Sequence, residues 1–252
     1  MSDQIEGRNA VREALKAKRN IIEIFLLASG KDGNLKDLHE AARNQHIPVK
    51  LVERRQLDQM AQADRHQGVI ARIPAYQYES LDHLLSVGSN AAAPPLVLLL
   101  DGIEDPHNLG SILRSAEVFG ATGVIIPKRR AAGVTPTVIK VASGAIEHIP
   151  VAQTSNLSEA IKQLKKAGYW IAGGEGGSRV SVMDQDLTGP LGLVIGSEGK
   201  GISRLVREQC DYLVRIPMAG KTGSLNASVA AGILLYEIFR QRNTSEGSGD
   251  QD

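Results

Sequence analysis

The feature that most restricts this chain is a set of short apolar runs that recur through its second half, at residues 96–100, 124–126, 169–172, 191–195 and 212–216. Runs of that length read as buried strands. Between them, residues 109–119, 157–167, 203–209 and 225–240 place apolar side chains at helical spacing. Strands that alternate with helices in this way close into a parallel or mostly parallel sheet with covering helices, an α/β fold. Ligands of such sheets bind beyond the carboxyl ends of the strands. The run at 191–195 opens into Gly196-Ser197-Glu198-Gly199-Lys200-Gly201, a glycine-rich loop in which a ligand can touch backbone.

The first part of the chain alternates as well. Helical patterns at 7–18, around Leu35, Leu38, Ala41 and Ala42, and at 54–61 are interleaved with strand-like runs at 22–28, 48–52 and 68–73. This predicts a small α/β domain that ends near Pro74. Residues 76–86 hold at most a short helix, and 87–95 have no periodicity, so 77–95 read as a linker between domains at 1–76 and 96–243. The polar tail at 244–252 is expected to be disordered.

Composition excludes more than it selects. With 42% hydrophobic and 23% charged residues, the 252-residue chain is ordinary globular material. Its single cysteine, Cys210, cannot form an internal disulfide. No apolar run approaches the ~20 residues of a membrane span, and the first residues lack a secretory pattern, so a cytoplasmic protein without a membrane partner is expected. Residues 1–78 and 96–243 each carry three more basic than acidic groups, while the acidic 79–95 and 244–252 return the total to +1. Mild basicity permits RNA binding without a basic coat. A dinucleotide fingerprint fails because Arg204 replaces its last glycine, and Gly220-Lys221-Thr222 is no phosphate loop because Arg215 stands where the first glycine belongs. The six histidines show no zinc spacing, so no metal site is expected.

Three stretches remain. Asp105-Pro106 starts a helix whose buried face is Leu109, Ile112, Leu113 and Ala116, leaving Ser111, Arg114 and Ser115 on the other side. Read singly, Asn108 is a capping residue, Arg114 a solvated charge and Glu198 a surface-turn carboxylate. The helix after Leu225 carries Ala227, Ala230, Ala231 and Gly232, so it approaches a backbone, a partner subunit or a ligand closely.

Together, Asp101-Gly102 with Asn108-Leu109-Gly110 and Arg114, then Ile195-Gly196-Ser197-Glu198-Gly199, then Ile216-Pro217-Met218 with Ser224-Leu225-Asn226-Ala227-Ser228 occur in the order of three family motifs. On these the chain resembles the SpoU, or TrmH, family of S-adenosylmethionine-dependent RNA ribose 2′-O-methyltransferases. Glu6-Gly7-Arg8-Asn9-Ala10-Val11 and His66-Gln67-Gly68-Val69-Ile70-Ala71 look like the two ends of the RNA-binding extension of one subgroup, which methylates a guanosine in the P loop of 23S ribosomal RNA.

The resemblance implies a SPOUT-type catalytic domain with a C-terminal trefoil knot, an N-terminal domain similar to ribosomal protein L30e, a homodimer, and 23S rRNA or the assembling large ribosomal subunit as partner. Carried over by motif, Gly196, Ile216 and Leu225 would hold S-adenosylmethionine through backbone, while Asn108, Arg114, Glu198, Ser224 and Asn226 would form the catalytic pocket. A guanidinium stays protonated, so Arg114 is expected to stabilise a developing oxyanion, with Glu198 orienting it or accepting the proton. Arg8, Arg12, Lys16, Arg54, Arg55 and Arg65 are candidates for phosphate contact. Ala227 stands where many relatives have Val. The same resemblance leaves open a resistance enzyme acting on an adenosine of another rRNA loop, a tRNA enzyme, and an RNA-binding protein without catalysis.

Overall fold

The computed structural model describes residues 2–16, 18–28, 33–61, 66–90, 93–220 and 223–244. Arg65, Lys221, Thr222 and the 245–252 tail lie outside the described residues. The chain divides into two compact units, Met1–Gln77 and Tyr78–Asp252.

The first unit runs β1 (Ser2–Glu6), α1 (Arg8–Lys16), β2 (Glu23–Leu27), α2 (Gly33–Asn44), β3 (Val49–Val52), α3 (Arg54–Met60) and β4 (Val69–Pro74). Its sheet has the order β1-β4-β2-β3, with β2 and β3 parallel and β4 antiparallel to β1 and β2. Alternation along β2 sorts the core: Ile24 and Leu26 pack with Val11, Leu15 and Leu38 of α1 and α2, while Phe25 packs with Leu57 of α3 and Ile70 of β4. Helices therefore cover both faces of one sheet. The Glu23 carboxylate binds Lys50 at 2.6 Å and Arg72 at 2.9 Å, and the bond from Lys50 holds its carboxyl below the usual range. Strand β1 was not anticipated. Its sequence is mostly polar, and pairing with β4 supplies the order that its side chains do not signal.

The second unit contains α4 (Leu81–Ser89), β5 (Leu96–Asp101), α5 (Pro106–Val118), β6 (Gly123–Pro127), α6 (Pro136–Ala142), β7 (Val151–Thr154), α7 (Leu157–Lys166), β8 (Trp170–Gly174), β9 (Val180–Ser181), β10 (Leu191–Gly196), α8 (Arg204–Arg207), β11 (Tyr212–Arg215) and α9 (Ala227–Thr244). Every pairing in its sheet is parallel, in the order β7-β6-β5-β10-β8-β11-β9. From β5 the chain winds outward through β6 to β7, restarts on the other side at β8, and returns as β10 to fill the place between β5 and β8. The winding direction thus reverses beside β5 and β10, and a reversal of this kind opens a crevice at the carboxyl edge. Both strands are buried up to their last residue, which reaches that edge.

Gly110 belongs to packing. A Cβ there would lie 2.6 Å from Val141 Cβ and 2.9 Å from the Val138 carbonyl oxygen, so α5 and α6 meet too closely for a side chain. Elements α6, β7 and β9, of seven, four and two residues, were not read from the sequence.

The expected linker is corrected. Residues 81–89 form α4, started by the Ser80 hydroxyl accepting the His83 N–H at 3.1 Å. Leu84 is fully buried among Val97, Leu99, Ile125 and Ile161 of the second unit. Leu84→Ala should therefore destabilise that unit by about 3 kcal/mol, through lost transfer energy and the cavity left behind. Urea denaturation followed by the fluorescence of Trp170, the single tryptophan, measures this; a loss below about 0.5 kcal/mol would return 81–89 to linker status.

Candidate active site

Three strands deliver backbone to one cleft. The carboxyl ends of β8, β10 and β11 bring Glu175, Gly196 and Ile216 to the walls of a cavity of about 450 Å³, with Ser224, Leu225 and Ala227 closing it. Residues after Gly196 double back at once: the Ser197 N–H donates to the Gly201 carbonyl at 3.1 Å and the Gly201 N–H to that of Ser197 at 2.9 Å. A Cβ on Gly196 would lie 2.2 Å from the Gly201 carbonyl carbon, so only glycine fits the tight return. The three residues expected to hold a ligand by backbone, Gly196, Ile216 and Leu225, line this cleft together. The small residues of α9 find their reason here. Ala227 and Ala230 form cleft wall and Ala231 is buried, whereas Gly232 has room for a Cβ, its nearest neighbour being Ser115 Oγ of α5 at 3.7 Å.

At the end of β10 the three motifs converge on one carboxylate oxygen. Glu198 Oε1 accepts from Asn108 Nδ2 at 2.9 Å, from Asn226 Nδ2 at 2.5 Å and from the Ala227 N–H at 3.4 Å. Asn226 Nδ2 also donates to Asn108 Oδ1 at 3.0 Å, closing a triangle of side chains. The oxygen of Asn226 is the N-cap of α9, accepting from the N–H groups of Ser228 and Val229 at 2.9 and 3.3 Å and from the Ser228 hydroxyl at 2.6 Å. Both ends of its amide are thus committed, which fixes the orientation of the group. Asn108 is 7% exposed, so its amide also depends on these partners. Glu198 Oε2 has no partner among the described residues.

Other expected residues fall elsewhere. Arg114 is exposed, lines neither cleft, and makes no hydrogen bond or ion pair among the described residues. Six residues past Asn108, it stands about 120° around α5 and about 9 Å along it. Of the two roles expected of Glu198, orienting Arg114 or accepting the proton, the first has no contact behind it within this chain, where the two asparagines hold Glu198. Ser224 lines the cleft without joining the triangle.

Sequence reading missed a second cleft, of about 850 Å³, at the carboxyl ends of β5, β6 and β7. It is lined by Asp101, Asn108, Arg129, Arg130 and Asn156, and shares Ser197, Glu198 and Lys200 with the first. The two clefts meet at the triangle. The adjacent basic residues at 128–130 were the available signal, obscured because nothing in sequence places them beside Glu198.

In the first unit, the two stretches that resemble the ends of an extension pack on each other. Gly7 N–H donates to the Val69 carbonyl at 3.2 Å and the Arg8 N–H to Gln67 Oε1 at 3.0 Å. His66 is held between Asp58, at 2.8 Å, and the Gly68 N–H, at 3.1 Å. Arg8, Arg12 and Lys16 occupy successive turns of α1, with contacts to Gln67, Asn9 and Glu13, while Arg54 and Arg55 are exposed on α3.

Cysteine chemistry is excluded from the clefts: Cys210 lines neither, and burial pushes its thiol up to about 12. Among the described residues no group of His, Cys, Asp or Glu could hold a metal, and no helix is long and apolar enough to cross a membrane.

The triangle makes a prediction separable by pH. Asn226→Asp keeps the cap acceptor but sets a second carboxylate beside Glu198, raising the pair's folded-state affinity for a proton. Its stability should be nearly normal at pH 5 and fall as pH rises to 8, because a group with a raised folded pKa contributes only while protonated. Asn226→Ala, which removes cap and donor together, should cost about 2 kcal/mol at both pH values. Denaturation at pH 5 and 8 checks both; equal losses for the two variants would deny the Asn226–Glu198 contact.

Comparison with known proteins shows the family. Residues 95–236 match the SpoU rRNA Methylase family, and residues 4–79 match the RNA 2'-O ribose methyltransferase substrate binding family. YacO of Bacillus subtilis (strain 168), assigned to the TrmH family of tRNA/rRNA methyltransferases, is 48% identical over 241 residues, 96% of each chain. The SpoU methyltransferase AviRb from Streptomyces viridochromogenes, solved with AdoMet, superposes with a TM-score of 0.72 at 26% identity, covering 96% of this chain and 91% of that one. A solved RNA 2'-O ribose methyltransferase gives 0.63 at 27% identity, over 96% and 89%. The parallel sheet, the glycine return after β10 and the two-family match together establish that this chain belongs to the SpoU rRNA methylase family.

Proposed function

We propose that the chain transfers a methyl group from S-adenosylmethionine to the ribose 2′-hydroxyl of a guanosine in the P loop of 23S rRNA, in the cytoplasm, during maturation of the large ribosomal subunit. The observation that carries this reading is the Asn108–Glu198–Asn226 triangle at the junction of a glycine-walled cleft with a polar one.

The residues present fit the cofactor. A cavity of about 450 Å³ is of small-ligand size, Gly199 leaves backbone bare, and Ile195 and Leu234 would offer apolar wall for an adenine. Glu198 would supply negative charge to a bound sulfonium, whereas Glu175 is already paired with Arg207 at 2.8 Å. When bound, S-adenosylmethionine supplies an electrophilic methyl group. Gly196, Ile216 and Leu225 would hold it by main-chain contacts. Asn108 and Asn226 hold Glu198 by Oε1, leaving Oε2 as the acceptor for the hydroxyl proton. Alignment of the hydroxyl with the methyl group supplies much of the rate, which is the work of a rigid pocket. The C-terminal knot and the L30e-like first domain belong to the same reading.

A homodimer completes it. Val229, Ile233 and Tyr236 form an exposed apolar stripe along α9, and Phe119 packs against Tyr236 and Phe239 beside it. Arg114 shares a face of α5 with exposed Val118, one turn on. A second copy covering this patch would set Arg114 at the interface, where it stabilises oxyanion charge.

Tritium transfer from labelled S-adenosylmethionine to 23S rRNA lacking the modification, with mapping of the label, tests the substrate. Label at the P-loop guanosine is expected; label at another nucleotide or in tRNA would move the target, and no transfer to any RNA would end the enzymatic reading. Arg114→Ala should lower turnover about 100-fold or more with cofactor affinity nearly unchanged, and Glu198→Gln should lower turnover by a similar factor even at saturating cofactor. For the dimer, Tyr236→Glu should give a monomer by light scattering and lose turnover; a fully active wild-type monomer would exclude this interface.

A further inference from the structure

We infer that the second cleft is a phosphodiester-binding path, in which Arg129 and Arg130 grip the RNA backbone beside the nucleotide presented to Glu198. This deepens, and rests on, the RNA methyltransferase reading above.

The charges in the cleft are unequally engaged. Of its carboxylates, Asp101 accepts the Ser203 N–H at 2.7 Å, Asp105 accepts the His107 N–H at 2.8 Å, and Glu198 is held in the triangle. Glu104 is the remaining one. All four carboxylates keep their charge, and against them stand three cations, Arg129, Arg130 and Lys200, whose side chains make no hydrogen bond or ion pair among the described residues. Anion recognition here therefore rests on the two adjacent guanidinium forks and not on the charge of the whole wall: Arg129 and Arg130 offer unused paired donors, complementary to an anion with several acceptor oxygens, as a phosphodiester is.

Position adds to charge. The turn that carries the two arginines is tied at both ends, by the Lys128 N–H to the Thr154 carbonyl at 2.8 Å and by the Ala132 N–H to the Ile103 carbonyl at 2.7 Å. The guanidinium groups therefore extend from anchored backbone at the edge of a cleft that reaches Asn108 and Glu198. A ribose placed at Glu198 has a phosphate on each side, so a strand that delivers it must run along a cleft wall. Among the described lining residues each cleft has one more carboxylate than cation, but only this one carries guanidinium groups, the cation of the cofactor cleft being Lys200, which both share.

Arg130 offers a variant that separates binding from folding. Its φ is +56°, in the left-handed region that glycine adopts without strain. Arg130→Gly removes the charge from a backbone conformation that suits the replacement, and Arg129→Ala completes the change. An unmodified 23S rRNA transcript is the probe, with wild type and double variant compared over a salt series. The double variant should raise the KM for RNA about tenfold or more and reduce the slope of log affinity against log salt by about 2, one for each lost phosphate contact. Its thermal midpoint and its affinity for S-adenosylmethionine should match wild type. An unchanged KM and salt slope in a variant that still transfers methyl groups would overturn the cleft assignment alone. A fall in cofactor affinity or thermal midpoint equal to the loss of RNA affinity would overturn it too, by making the arginines structural. Failure of the wild type to bind or methylate any RNA would remove the enzymatic reading and this one with it.

Discussion

One carboxylate oxygen holds the site together. Glu198 Oε1 takes donors from the first turn of α5, from the residue that caps α9 and from the first backbone N–H of that helix, so three segments far apart in sequence share one acceptor. Hydrogen bonds to an ionised group are the stronger kind, and leaving any of these donors unpaired in a half-buried position is costly. The motif spacing follows from this contact. Asn108 and Asn226 must reach the end of β10 from opposite sides, which the sheet permits because β10 lies between β5 and β8.

The same placement explains why two clefts share a wall. Residues 197–201 fold back from the central strand, separating what lies over β8 and β11 from what lies over β5, β6 and β7. Gly196 is required by that return, not by a ligand, since its missing Cβ would strike the backbone of Gly201. A glycine that resembles a cofactor residue in sequence can therefore owe its identity to the fold.

Helix α9 is anchored along its length as well as at its cap. The buried Glu237 carboxylate takes two bonds from Arg240, both at 2.8 Å, and these hold its carboxyl below the usual range. Gln241 accepts the Leu187 N–H at 3.0 Å and donates to the Val182 and Gln185 carbonyls, and Arg242 donates to the carbonyls of Pro94, Pro95 and Gly189. The far end of α9 is thus fastened to the amino ends of β5 and β10. With both ends held, the cap residue Asn226 can be positioned for Glu198.

Local chemistry determined much of this protein before any tertiary contact was known. Apolar runs such as 191–195 and 96–100 read as strands because buried parallel strands need continuous apolar sequence, and Asp105-Pro106 announced α5 through capping and a preset φ. The three motifs were legible as residues, and the family with them. What sequence could not carry was distance. The polar run 2–6 became a strand only through pairing with β4, and 81–89 ceased to be a linker only when Leu84 met the second core. Read singly, Asn108 and Glu198 looked like a cap and a turn carboxylate, and only the resemblance grouped them with Asn226; strand order is what brings the three within hydrogen-bond reach, while the turn of α5 carries Arg114 away from them. Periodicity encodes which face of an element is buried; strand order decides which faces meet, and that order is settled by packing of the whole sheet.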